Sequence, residues 1–189
     1  MRQFVKMLGL MLLWAPRAAL AQTTLAQDTM AVPADYRQWV FLTSSLDLNY
    51  DTASTPNHHM LDNVFVDPVS YQTFLKTGNW PDKTILIKEN RMAESAGTLS
   101  KRGQYQVGVM DLEIHIKDRA RFPGQWAFFK SADGKAPATL KPQSENCYSC
   151  HRDHGAVDTT FVQFYPTLFP VAEEKGTLSA GYLKDSAAK

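Results

Sequence analysis

The chain has only two cysteines, and they stand together late in the sequence, in the run Cys147-Tyr148-Ser149-Cys150-His151. No other stretch constrains the fold as much. On a helix, residues three apart share a face, so both thiols point the same way with the His151 imidazole beside them. Two such thiols can each add to one vinyl group of a haem, and His151 can then reach the iron as the axial ligand. Ser144 stands where an N-cap of that helix is expected. Two other uses of a C-x-x-C pair compete. A redox disulfide calls for a strand–turn–helix setting near the start of a thioredoxin-like unit. A zinc site built with His151 and His154 needs further ligands at usable spacing, and no third cysteine exists. Covalently held haem c fits the motif best.

The position of the motif argues against two familiar helical architectures, while simple electron transfer by a cytochrome c stays an alternative function. Ordinary electron-transfer cytochromes c carry it early and take a methionine ligand from the residues after it. Here every methionine precedes it, Met110 being the last. Four-helix cytochromes c-prime carry the motif late but need long amphipathic helices before it. Trp39-Val40-Phe41, Val64-Phe65-Val66 and Ile85-Leu86-Ile87 are β-branched and aromatic runs unsuited to that.

These runs instead predict an α+β domain, mainly an antiparallel sheet with a few short helices and C-x-x-C-H on a helix near the C-terminus. Asp35–Gln38 should form a turn or short helix leading into a strand at Trp39–Thr43. Asp47–Asn57 is a polar loop, and Asn63–Val66 a second strand. Asp67-Pro68 is an N-cap followed by proline at the first helical position. Tyr71, Phe74 and Leu75 recur at helical spacing, and Gly78 supplies the C-cap. Thr84–Glu89 is apolar on both faces and belongs inside the sheet. Gln104–Lys117 is the longest strand candidate, with Met110, Leu112, Ile114 and Ile116 on one face and Tyr105, Val107, Val109, Asp111, Glu113 and His115 on the other. Trp126–Phe129 is a further strand and residues 132–142 a loop. Asp158 is expected to cap a last helix through Phe161, Phe164 and Tyr165.

The N-terminus reads as an export signal. A basic start with Arg2 and Lys6 precedes a short apolar run from Met7 to Trp14, and Ala19-Leu20-Ala21 supplies a cleavage site. The run is too short for a membrane span. Residues 1–21 are therefore expected to be removed, 22–34 to form a loose leader, 35–170 the haem domain and 171–189 a C-terminal tail, with the product in the periplasm. Removal of Arg2, Lys6 and Arg17 takes the formal net charge from +1 to −2. So neutral a chain gives no electrostatic case for nucleic acid or an anionic membrane.

With His151 below the iron, the residues above it decide the chemistry. Met60, Met92, Met110, His58, His59, His115 and the lysines are candidate sixth ligands. Methionines serve more often as core filler, and a polar-loop histidine pair is more often solvated, so an open sixth position is expected. Glu113 is the candidate proton carrier, since a carboxylate at the rim of an apolar pocket can exchange protons near neutral pH. The alternative is a strand face simply solvated at one end. Lys88 follows Ile85-Leu86-Ile87 in a strand expected to be buried. It needs either a partner or a route to water.

The ordered set of segments resembles the cytochrome P-460 family. The resemblance is carried by Tyr36-Arg37-Gln38-Trp39-Val40, by Val64-Phe65-Val66-Asp67-Pro68 with Tyr71, and by Lys76-Thr77-Gly78. It continues through Thr84–Glu89, Glu113 with Lys117-Asp118, Trp126-Ala127-Phe128, the C-x-x-C-H run and Phe161–Pro166. It implies a mostly antiparallel fold, usually a homodimer, around a five-coordinate haem c. It further implies that a lysine, here Lys88, is cross-linked to the porphyrin and that a distal glutamate, here Glu113, handles protons. Such proteins oxidise hydroxylamine to nitrous oxide or nitrogen oxides and pass electrons to a soluble acceptor such as another cytochrome. The related cytochromes c-prime-beta keep the fold, lack the cross-link and bind nitric oxide without turnover.

Overall fold

The computed structural model of the protein describes residues 28–48, 59–95 and 101–188. The expected export signal, the first residues of the leader, His58 with most of the 47–62 loop, and residues 96–100 lie outside them.

Among the described residues, seven strands, β1 (Thr29–Met30), β2 (Val40–Leu46), β3 (Met60–Val66), β4 (Ile85–Glu94), β5 (Tyr105–Lys117), β6 (Trp126–Ser131) and β7 (Ala138–Leu140), build one sheet. Their order is β1-β7-β6-β5-β4-β3-β2, and every pairing is antiparallel. Four helices accompany them: α1 (Pro68–Thr77), α2 (Asn146–His154), α3 (Phe169–Lys175) and α4 (Ala180–Ala187). The α+β expectation holds. Among the described residues no helix is long and apolar enough to cross a membrane.

Local chemistry sets the elements. Asp67 Oδ1 accepts the Ser70 amide at 2.8 Å, Pro68 opens α1, and Gly78 closes it at φ 71° with its amide on the Phe74 carbonyl. A side chain at Gly78 would also meet Lys175 Cβ at 2.7 Å, so the same glycine lets α1 approach α3. β4 lies between β3 and β5, with Leu86 and Ile87 buried on opposite faces.

One face packs Leu42, Val64, Val66, Leu86 and Trp126 against Phe74 of α1, Ala172 of α3 and the segment from Ala156 to Leu168. Phe74 is wholly buried with its ring 4.4 Å from that of Trp80, and its truncation should cost about 3–5 kcal/mol. The other face buries Ile87, Leu112, Ile114, Ala127 and Phe129 under Tyr36, Phe122 and the N-terminal arm. Glu89 is also buried there and is satisfied by Tyr36, Arg37 and Arg91.

Several expectations are corrected. Asp111 pairs with Asn90 but Val109 pairs with Arg91, so Met110 is an extra, bulged residue. A one-residue bulge moves everything before it to the opposite face. Val109 therefore packs with Ile87, Leu112 and Ile114, and Met110 crosses to the side of Glu113. Glu145, not Ser144, precedes α2, and no side-chain cap is made. The 132–142 loop contains β7, which pairs with β6 and with Thr29–Met30 of the expected leader. Asp158 caps no helix: it sits in a tight turn at φ 48°, and the next element is a short 3-10 turn at Val162–Phe164. Residues 171–189, read as a tail, contribute to α3 and α4, with Ala172 in the core.

Candidate functional site

The helix-bearing face of the sheet opens, between strands β2–β6 and α2, into a cavity of about 620 Å³. All five residues singled out in the sequence, Lys88, Glu113, Cys147, Cys150 and His151, line it.

On the α2 side, Cys147 and Cys150 are both free thiols, and burial raises the pKa of the second. Tyr148 between them ties α2 to the sheet. Its hydroxyl accepts the Phe128 amide at 3.3 Å and donates to the Lys141 carbonyl at 3.0 Å. His151 donates from Nδ1 to the Thr159 carbonyl at 2.8 Å, which leaves Nε2 as a lone-pair donor. Its ring sits 4.2 Å from Phe161, 4.6 Å from Phe128 and 5.0 Å from His115, centroid to centroid. Burial among these rings lowers its pKa to about 4, so it is neutral at physiological pH, as a metal ligand must be. The accepting carbonyl lies in a strained turn. Asp158 (φ 48°) and Thr159 (φ 61°) are consecutive non-glycine residues in the left-handed region, at a cost on the order of 1–3 kcal/mol each.

On the strand side, Lys88 and Glu113 are directly paired across β4 and β5, with Nζ 3.3 Å from a carboxylate oxygen. Asp62, on the neighbouring strand, stands 3.8 Å from the same Nζ and accepts from Ser45 Oγ at 3.2 Å. Only 2% of Asp62 is exposed, and its Oδ1 has no hydrogen-bond partner. Burial, opposed by Lys88 and Ser45, raises the Asp62 pKa above its ordinary value. The strand pattern points to Glu113 as a carboxylate at the rim of an apolar pocket. Its side chain is 46% exposed, and the desolvated carboxylate of the cavity is Asp62. Asp62 escapes sequence reasoning because it falls between the loop expected to end at Asn57 and the strand expected to begin at Asn63, and only its pairing with Asn90 reveals its face.

Of the candidate sixth ligands, Met60 and Met110 line the cavity wall and Met92 does not; Met92 and Met110 are about equally exposed, at 41% and 42%. His59 does not line the cavity, but its Nδ1 contacts Asp47, which does, at 2.5 Å. His115 lines the cavity beside His151, stacked on Phe128 at 4.0 Å. His154, part of the zinc alternative, turns to Asp185 at 2.5 Å.

A family model described as cytochrome P-460 matches residues 33–162. The chain belongs to the cytochrome P-460 family. No curated protein matches it. The match takes in Lys88, Glu113 and the whole C-x-x-C-H run, and it ends before α3 and α4. Membership of the cytochrome P-460 family implies a haem, and the cavity fits one. It offers an imidazole with Nε2 uncommitted, two free thiols one helical turn apart, and apolar walls from Val64, Leu86, Phe128 and Phe161. As a cytochrome P-460, the protein carries a haem, and the cavity between the histidine-bearing helix and the charged sheet face has room and chemistry for it.

Proposed function

We propose that this protein is an exported mono-haem c-type cytochrome that oxidises hydroxylamine at an open iron position. Cys147 and Cys150 would hold the haem by adding their thiols across its vinyl groups, and His151 through Nε2. Lys88 would hold it through a further bond from Nζ to a porphyrin carbon, formed with loss of one N–H and one C–H hydrogen to an external two-electron oxidant. When bound, the haem supplies an iron that takes the substrate nitrogen and a route for electrons to a soluble acceptor such as another cytochrome.

The chain's own residues account for the protons. Oxidation of hydroxylamine releases protons, and they need an acceptor within the cavity. Glu113 fits that role, since it lines the cavity and is 46% exposed, so it can take a proton inside and deliver it to water. Before its bond to the porphyrin forms, Lys88 pairs directly with the Glu113 carboxylate, which brings both side chains to the same part of the cavity. The wall formed by Val64, Leu86, Met60 and Met110 limits water around a small substrate.

The observation that carries this reading is the meeting of Lys88 and Glu113 at 3.3 Å inside the cavity that also holds Cys147, Cys150 and His151. Steady hydroxylamine oxidation with an artificial electron acceptor tests it, with turnover expected from the holoprotein. The apolar wall also suits a protein that binds nitric oxide without turnover. Tight nitric oxide binding with no hydroxylamine oxidation would favour that second reading. We further place the protein in the periplasm as a homodimer, on the family resemblance and the N-terminal sequence.

A further inference from the structure

Among the described residues the His151 ring makes one hydrogen bond, to the Thr159 carbonyl, and the turn presenting that carbonyl is one that its own residues disfavour. Two successive non-glycine residues in left-handed conformations persist only where the surroundings over-determine them. Here they do. Lys117, at the end of β5 with its side chain 3% exposed, ion-pairs with the Asp158 carboxylate and donates to the Trp80 carbonyl at 2.8 Å. Trp80 Nε1 donates to Thr160 Oγ1 at 2.8 Å, and that hydroxyl donates to the Val157 carbonyl at 2.6 Å. Backbone bonds of 2.8 and 3.3 Å between Val157 and Thr160 close the turn. The turn is therefore gripped from the sheet by a buried ammonium and from the α1–β4 connection by an indole.

We infer that Lys117 and Asp158 are positioning residues for the axial histidine, acting through the Thr159 carbonyl. The inference rests on the reading of His151 as the haem ligand. For stability alone, a well-packed apolar pair would serve as well as a buried ion pair. What the ion pair adds is direction. It fixes the Asp158 side chain, hence the peptide that follows it, hence the carbonyl that holds the Nδ1 proton. A carbonyl so held keeps the imidazole in one tautomer and one plane and strengthens its donation to the metal.

The test is resonance Raman spectroscopy of the ferrous holoprotein, read at the iron–histidine stretching band, together with the haem midpoint potential. Asp158→Asn keeps the shape but weakens the anchor. The double variant Lys117→Met/Asp158→Gly removes the buried charge and also relieves the φ penalty at 158, so that the turn can fold without its clamp. A weaker Thr159 bond makes His151 a poorer donor. The iron–histidine band should therefore shift down and broaden, and the midpoint potential should rise, more in the double variant than in the single. Thr159→Gly, which keeps both clamp and carbonyl, should leave the band in place. An unmoved band and potential in the double variant with haem bound would overturn the inference, whatever happens to thermal stability. A wild-type protein with no iron–histidine band would overturn the reading of His151 itself.

Discussion

Lys88 and Glu113 face each other across the two central strands of the sheet, Nζ to carboxylate oxygen 3.3 Å, with Asp62 completing a triangle at 3.8 Å from the same nitrogen. Each residue is weak evidence alone. Together, above a helix that offers two thiols and a neutral imidazole, they give the cavity an ammonium and two carboxylates facing one candidate axial ligand.

If Glu113 carries the protons, Glu113→Ala should leave the haem absorption spectrum as in wild type and lower hydroxylamine turnover by about 100-fold or more. Absorption and steady-state rates on one preparation check both halves. Unchanged turnover would remove Glu113 from the mechanism.

Asp62 gives a stability signature with a definite sign. Burial raises its carboxyl above the unfolded value of 3.8, so the folded protein holds that proton at a pH where the unfolded chain has lost it. Stability therefore falls as pH rises from the unfolded value through the raised one. Asp62→Asn cannot ionise, so its gain in Tm over wild type should be larger at pH 7 than at pH 4. A gap that stays constant or narrows contradicts the burial argument.

His115 and His151 act in the opposite sense in the haem-free protein. Burial holds His115 well below 6.5 and His151 at about 4, so acid must charge them in the unfolded chain first. Stability is then lost as pH drops from 6.5 towards 4, on the order of 3 kcal/mol for His151 alone. Thermal melts of haem-free protein across that range should show the slope, and His115→Phe should flatten it.

Gly181 sets the docking of α4 on α2. A Cβ there would stand 2.3 Å from the Asp153 carbonyl oxygen, backbone against backbone. Gly181→Ala should cost about 1–3 kcal/mol in chemical denaturation. Gly108→Ala, where nothing lies within 4 Å, should stay within about 0.5 kcal/mol of wild type.

What the sequence made legible was what local chemistry encodes. Asp67-Pro68 and Gly78 marked both ends of α1, Ile85-Leu86-Ile87 announced an interior strand, and C-x-x-C-H announced a helix with two thiols on one face. The bulge at Met110 was not legible, because alternation continues through it in sequence and breaks only in the pairing with Asn90 and Arg91. Asp62 was hidden for the same reason: its burial depends on β2 and β4 lying to either side. The turn at Asp158–Thr159 contains no glycine, so nothing in its composition predicts left-handed backbone; Lys117, 41 residues away, holds it. α3 and α4 did leave signals, Pro170 and Gly176 around one and Ser179 before the other, in a stretch read as a tail.

On this proposal a haem lies in the cavity, held by Cys147, Cys150 and His151, modified by Lys88 and open beside Glu113. The absorption spectrum of the reduced, purified protein tests it most directly. The prediction is a five-coordinate, high-spin haem absorbing well to the red of an ordinary c-type Soret band. An ordinary low-spin, six-coordinate c-type spectrum, or no haem absorbance at all, would contradict it.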